Sequence, residues 1–298
     1  MASRLGPLGP GTHLAYGTAG FRAKAELLDS TFFRMGMLAV LRSRARGGLA
    51  IGLMVTASHN PEPDNGIKLV DPDGGMLDQS WEVHATTLAN APDDSVASAL
   101  ESIAAAVGVQ SGQEAVVTES GRVLVARDTR PHSARLASLA LEGAVRIGGK
   151  GEDCGLLTTP QLHHIVRHDN GTSAGGRHVG PKEWASESGY YEMLATAYAE
   201  LVPAELIADR TPLWVDAACG IGAPQLGRLQ IRMGAQLLPM TVANGVGEGE
   251  LNQGCGAEYV QKGRKPPRGL ETPPTSSAPA PLRACSVDGD ADRIVFHY

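Results

Sequence analysis

Apolar positions along the chain fall into two patterns, short continuous runs and stripes at helical spacing. Ala50-Ile51-Gly52-Leu53-Met54-Val55 is an unbroken apolar run, as in a strand covered on both faces. Arg122-Val123-Leu124-Val125-Ala126, Pro212-Leu213-Trp214-Val215 and Arg283 to Val287 predict further strands, as do 155–159, 235–242 and the run from Arg293 to Tyr298. Between them lie the stripes. Phe32, Phe33, Met37, Leu38, Val40 and Leu41 predict a helix over 31–46. Asp29-Ser30 is its expected N-cap, and Arg42, Arg44 and Arg46 complement its dipole near the end. Further helices are predicted over 78–88, over 133–147 and from Gln161 onward. Another, over 187–201, rests on Tyr190, Met193, Leu194, Ala197 and Tyr198. Ala-rich 95–107 is weakly patterned and is assigned no element. Strands alternating with helices predict an α/β fold with a mixed or parallel sheet in each of two successive domains.

Length and composition agree with that plan. The chain has 298 residues, room for two domains of ordinary size, and 42% hydrophobic against 19% charged residues is enough to bury a core. Asp169 to Gly180, rich in Gly, Asn and Ser, marks the expected boundary, giving domains over 12–172 and 173–298. Pro-dense 265–283 is expected to be loop. A net charge of −6 argues against a general nucleic-acid surface. The sequence contains no apolar run long enough to span a membrane. Met1 to Gly11 lacks the apolar centre of a signal peptide. Cys154, Cys219, Cys255 and Cys285 are widely spaced without a C-x-x-C, which fits reduced thiols and a cytoplasmic location.

The candidate chemistry lies at the ends of strands. The apolar run at 50–55 leads into Thr56-Ala57-Ser58-His59-Asn60-Pro61, which places the Ser58 hydroxyl where α/β enzymes hold reactive groups. Asn65-Gly66, a turn dipeptide, is expected to fold the chain back and bring Lys68 towards Ser58. Far downstream lies Val287-Asp288-Gly289-Asp290-Ala291-Asp292-Arg293. Alternation points its three carboxylates the same way, and hard oxygen donors of this kind suit Mg²⁺. An EF-hand loop also begins D-x-D-x-D, but its sixth position requires glycine and here is Arg293. His163 and His164 are adjacent and therefore point apart, so they are expected to pack rather than to bind metal. The glycine pair in Ala217-Ala218-Cys219-Gly220-Ile221-Gly222 lacks the third glycine of a dinucleotide fingerprint.

The serine and aspartate loops together resemble those of the α-D-phosphohexomutase family. The resemblance extends to Tyr16-Gly17-Thr18-Ala19-Gly20-Phe21-Arg22, in the form found in members acting on N-acetylglucosamine phosphates, and to Asp64 through Pro72. It includes Arg127-Asp128-Thr129-Arg130-Pro131 and Leu156 through His163. It implies a phosphohexomutase fold in which Ser58 carries a phosphoryl group and Asp288, Asp290 and Asp292, with Ser58, hold Mg²⁺. Lys68 is then the acid/base, assisted by His59. Arg22, Lys68 and Arg293 bind phosphoryl oxygens, and Arg22 is grouped with the catalytic residues. Arg127 and Arg130 are expected to be scaffold.

The implied reaction interconverts N-acetylglucosamine 6-phosphate and 1-phosphate through a sugar bisphosphate, towards UDP-N-acetylglucosamine. The expected partners are therefore a phosphorylated amino sugar and its bisphosphate, with no nucleic acid and no membrane. The family has four domains. The sugar-selecting E-x-N-G-H of its third and the phosphate-clamping R-P-S-G-T-E of its fourth are absent from this sequence, so the first two domains are expected. A catalytically silent chain that binds Mg²⁺ or partner domains, and a mutase for glucose or mannose phosphates, are the alternatives.

Overall fold

The computed structural model describes residues 13–109, 111, 120–171, 180–203, 212–234, 239–271 and 283–297. Two mixed sheets carry the described chain. The first runs β1 (Phe21–Lys24), β3 (Asp64–Val70), β2 (Ile51–Val55), β4 (Arg122–Arg127), β5 (Lys150–Leu156). β3 is antiparallel to both neighbours, whereas β2, β4 and β5 are mutually parallel.

Side chains alternate across β2 and β4, and both faces are covered. Ile51, Leu53, Val55, Val123 and Val125 pack with α1 (Asp29–Ala45), α2 (Glu82–Asn90), α3 (Val96–Val107) and α4 (Ser133–Arg146). Met54, Leu124 and Ala126 face the opposite way, against Leu162, Ile165 and Val166 of α5 (Thr159–Asn170). Double coverage is why 51–55 and 123–126 are apolar throughout.

The second sheet runs β7 (Met240–Ala243), β6 (Leu213–Asp216), β8 (Ala284–Val287), β9 (Ile294–His297), parallel except for β8 with β9. α7 (Gly222–Met233) and α8 (Ala257–Gly263) pack on it, and α6 (Glu187–Leu201) lies against α5 and α7.

Several local expectations are corrected. Asn65-Gly66 is not a turn but lies inside β3, and the chain reverses earlier, between Ala57 and Pro63. Leu28, not Asp29-Ser30, precedes α1, and no side chain caps that end. Arg42 and Arg44 do more than face a helix dipole. Arg42 Nε donates to Asp71 Oδ1 at 2.9 Å, and Arg44 Nη2 donates to the Ile147 carbonyl at 2.7 Å.

Gln79–Trp81 is a 3₁₀ turn that delays α2 to Glu82, and the unassigned Ala-rich stretch forms α3 on Leu100, Ile103 and Ala104. β5 ends at Leu156, because Thr158 is taken up as the N-cap of α5. In α6 the most buried aromatic is Tyr191, which the helical stripe omitted. Residues 235–238 of the expected strand, 172–179 of the expected boundary and 272–282 of the Pro-dense segment lie outside the described residues.

Candidate active site

β2 delivers its chain end between the two sheets. After Val55, Thr56 still pairs with β3, its N–H donating to the Gly66 carbonyl at 2.9 Å. Gly66 allows this approach. A Cβ there would sit 2.3 Å from the Phe21 carbonyl oxygen and 2.7 Å from that of Thr56. Ser58 then adopts φ 52°, a left-handed conformation disfavoured for a residue with a side chain. Its N–H donates to Thr56 Oγ1 at 2.8 Å, and the residue is buried.

The strained loop is held through its carbonyls. Arg130, itself buried, donates from Nη2 to the Ser58 and Asn60 carbonyls, each at 3.0 Å, and from Nη1 to those of Pro61 at 2.8 Å and Asp64 at 3.1 Å. Asp128 anchors the guanidinium, accepting from Nε at 3.0 Å. From the second sheet's side, Asn252 Nδ2 donates to the Ser58 and Asn60 carbonyls at 2.9 and 3.0 Å.

β8 delivers the aspartate loop against the serine loop. Ser58 Oγ donates to Asp288 Oδ2 at 2.6 Å across 230 positions of sequence. Gly289 permits that approach, since a Cβ there would lie 2.6 Å from the Ser58 carbonyl oxygen. Ala291 takes φ 56°, and Asp288, Asp290 and Asp292 each bring one ligand oxygen within 4.8 Å of the others. Burial, then the charges of Asp290 and Asp292, pushes the Asp288 carboxyl up to about 7. Asp290 Oδ1 is buried with no hydrogen-bond partner. Buried, mutually repelling carboxyl oxygens with one unpaired acceptor are a donor set that a hard divalent cation would satisfy.

Cationic side chains border the trio. Lys68 Nζ lies 3.0 Å from Asp292 Oδ2 and 3.5 Å from Asp290 Oδ2. Arg293 Nη2 donates to His59 Nδ1 at 2.8 Å, and His59 Nε2 lies 2.9 Å from Glu258 Oε2. These two contacts select the neutral imidazole with its proton on Nε2. Burial first, and the Arg293 charge next, hold the ring below the ordinary histidine range. Arg22 Nη1 reaches Asn60 Oδ1 at 3.4 Å. Burial lowers its pKa, while Asp290, Asp292 and Asp288 oppose that shift.

Two family models match the chain. "Phosphoglucomutase/phosphomannomutase, alpha/beta/alpha domain I" matches residues 37–96 and 92–176, and "Phosphoacetylglucosamine mutase AMG1, domain II" matches residues 181–295. The chain is 46% identical over 290 residues to the phosphoacetylglucosamine mutase of Sus scrofa, covering 97% of this chain and 50% of that protein. The chain belongs to the α-D-phosphohexomutase family.

Among solved structures, Aspergillus fumigatus N-acetylphosphoglucosamine mutase in complex with GlcNAc-6P and magnesium superposes with a TM-score of 0.81 at 38% identity, over 97% of this chain and 51% of that one. A variant of the same fungal enzyme in complex with glucose 1,6-bisphosphate gives a TM-score of 0.84 at 36% identity, over 100% of this chain and 52% of that one. The phosphohexomutase chain described here thus spans about half the length of the relatives it matches.

In this phosphohexomutase chain the structure brings together every residue expected at the site: Arg22, Ser58, His59, Lys68, Asp288, Asp290, Asp292 and Arg293. It also adds roles that the sequence did not assign. Arg130 holds the serine loop. Asn252 and Glu258 were not singled out, and Thr159 was noted only within the Leu156 to His163 stretch. Cys219 sits at φ 55° with its N–H donating to the Asn244 carbonyl at 2.7 Å. Arg268 Nη2 donates to its sulfur at 3.3 Å. His164 is buried and His163 half-buried on α5, each with a backbone partner, which agrees with packing roles.

Proposed function

We propose that this chain supplies the phosphoryl-carrying serine and the cation-binding loop of a phosphoacetylglucosamine mutase. Its reaction interconverts N-acetylglucosamine 6-phosphate and 1-phosphate through a sugar bisphosphate, in the formation of UDP-N-acetylglucosamine. One observation carries the reading: the Ser58 hydroxyl, in a strained and pinned loop, is 2.6 Å from the first of three clustered carboxylates. Phosphoryl transfer asks for in-line placement and charge neutralisation, which such a pairing serves.

Asp288, Asp290, Asp292 and Ser58 would hold Mg²⁺, which supplies neutralisation of charge on the transferring group. The rest is work for the chain's own side chains. Ser58 Oγ accepts and returns the phosphoryl group. Lys68, placed between the serine strand and the aspartate loop, takes up or gives back the proton of the attacking sugar hydroxyl. Arg22 and Arg293 steady phosphoryl oxygens, with neutral His59 orienting Arg293. Residues 12–172 form the serine-bearing domain and 173–298 the cation-bearing one. A cytoplasmic setting is consistent with four free cysteines and, among the described residues, no helix long and apolar enough to cross a membrane.

The test uses the 298-residue chain with Mg²⁺, a trace of glucose 1,6-bisphosphate and N-acetylglucosamine 6-phosphate. The first readout is mass-spectrometric detection of phosphate on Ser58; the second is turnover. Phosphate on Ser58, absent from Ser58→Ala, supports the reading, and turnover lost in the same variant completes it. A folded chain that acquires no phosphate on Ser58 sinks it.

A further inference from the structure

Asp290, the middle carboxylate, is fully buried and is held by a residue from the first sheet's side. Thr159 Oγ1 donates to Asp290 Oδ2 at 2.6 Å, and the Thr159 N–H donates to the Asp290 carbonyl at 3.1 Å. The other contact to Oδ2 is Lys68 Nζ at 3.5 Å. Oδ1 has no partner. One oxygen of the carboxyl group is therefore tied down and the other left unpaired within the trio.

Thr159 is itself fixed. It is the first residue of α5, directly after the Thr158 cap. Thr158 Oγ1 accepts from the Gln161 N–H at 3.3 Å, and Gln161 Oε1 accepts from the Thr158 N–H at 2.8 Å. Gln161 Nε2 then donates to Tyr191 Oη at 3.1 Å and to Gln225 Oε1 at 3.0 Å, tying the start of α5 to α6 and α7. The hydroxyl thus comes from a helix end with little freedom to move.

We infer that Thr159 is a positioning residue for the aspartate loop, its hydroxyl orienting Asp290 so that the unpaired oxygen is presented to a divalent cation. The inference rests on the cation reading above. It adds that cation affinity is shared between the two sheets, because a group 131 positions upstream sets the orientation of a ligand. Partners that orient metal ligands typically contribute 10- to 100-fold to metal affinity.

The experiment is a calorimetric Mg²⁺ titration of the full chain beside Thr159→Val, Thr159→Ala and Thr159→Ser, each checked by circular dichroism and thermal unfolding without metal. Valine replaces the hydroxyl with a methyl of similar size, serine keeps the hydroxyl, and all three keep the backbone contact. The expected result is Mg²⁺ binding about tenfold or more weaker in the valine variant, or in the alanine variant if valine does not fold, with serine within about twofold of the parent. A merely structural threonine would lower the unfolding temperature and leave the affinity unchanged, which overturns the inference alone. Equal weakening in the serine variant overturns it too, since packing of the methyl would then be responsible. No Mg²⁺ uptake by the parent chain overturns the cation reading and the inference together.

Discussion

Around the first sheet, buried apolar side chains form two continuous layers, one on each face. Around the second, burial is thinner, and the polar network centres on a carboxyl group. Asp216, at the end of β6, is fully buried. Its Oδ1 accepts from the Ala218 N–H at 3.0 Å and from Asn244 Nδ2 at 2.9 Å, and its Oδ2 from the Gly256 N–H at 2.7 Å. Those donors sit on two loops, 217–221 after β6 and 244–256 after β7, that pack against the aspartate loop. Nearby buried side chains are mostly small, such as Ala217, Ala218, Ala257 and Ala284, while Ile231 of α7 and Phe296 of β9 are exposed. The first half places its reactive loop on a rigid apolar platform. The second places its loops by hydrogen bonds to one residue and by contact with the first.

The sharpest way to break that contrast is Asp216→Ala. It leaves two backbone N–H groups without their acceptor and the Asn244 amide with only the Arg268 carbonyl, a loss of about 3–5 kcal/mol when a buried network is broken. Hydrogen exchange should rise over 213–219 and 244–256 while β2 and β4 keep their protection. Equal loss in both sheets would mean they open as one unit. Leu38→Ala, at a fully buried site on α1, should cost about 3 kcal/mol in urea unfolding and expose β2 and β4 first.

Arg130→Lys keeps the charge but loses the forked donors, for about 2 kcal/mol. Its expected signature is faster exchange at 58–64 and at least a tenfold drop in the rate of phosphate uptake on Ser58. An unchanged rate would mean Asn252 suffices to hold the loop.

The smallest effect concerns the junction of α5 with α6. His164 Nε2 lies 2.8 Å from the Trp184 carbonyl, and its ring packs against His168 and Tyr190. Burial, and secondarily His168, lowers its pKa from 6.5 to about 4. The folded protein therefore favours the neutral ring. That contribution is complete above pH 6.5 and is lost as the pH falls through about 4. Thermal unfolding between those values should fall less steeply with acid in His164→Gln than in the parent.

Strands β2 and β4 were legible because coverage on two faces leaves no polar position between their ends, and α4 because one stripe is buried; α1 is buried nearly all round, so its apolar stripe showed only part of its packing. Ser58 and the three aspartates were legible because their spacing carries chemistry. Asn65-Gly66 misled, because a dipeptide that favours a turn was placed instead where two backbones crowd together. α3 was missed because alanine-rich sequence gives little contrast between faces. Arg130 was legible as a residue of a motif but not as the clamp of the serine loop, since its partners are carbonyls, which every residue has.

The order of apolar runs and stripes, with the residue types of two loops, determined the fold class and the residues on which the proposed chemistry rests. Periodicity and donor type are local properties that survive in one dimension. Tertiary structure alone decided that Ser58 meets Asp288, that Arg130 and Asn252 hold the same two carbonyls, and that Thr159 reaches Asp290. Those contacts join residues 70 to 230 positions apart, and their geometry is set by how two sheets dock, which no local pattern encodes.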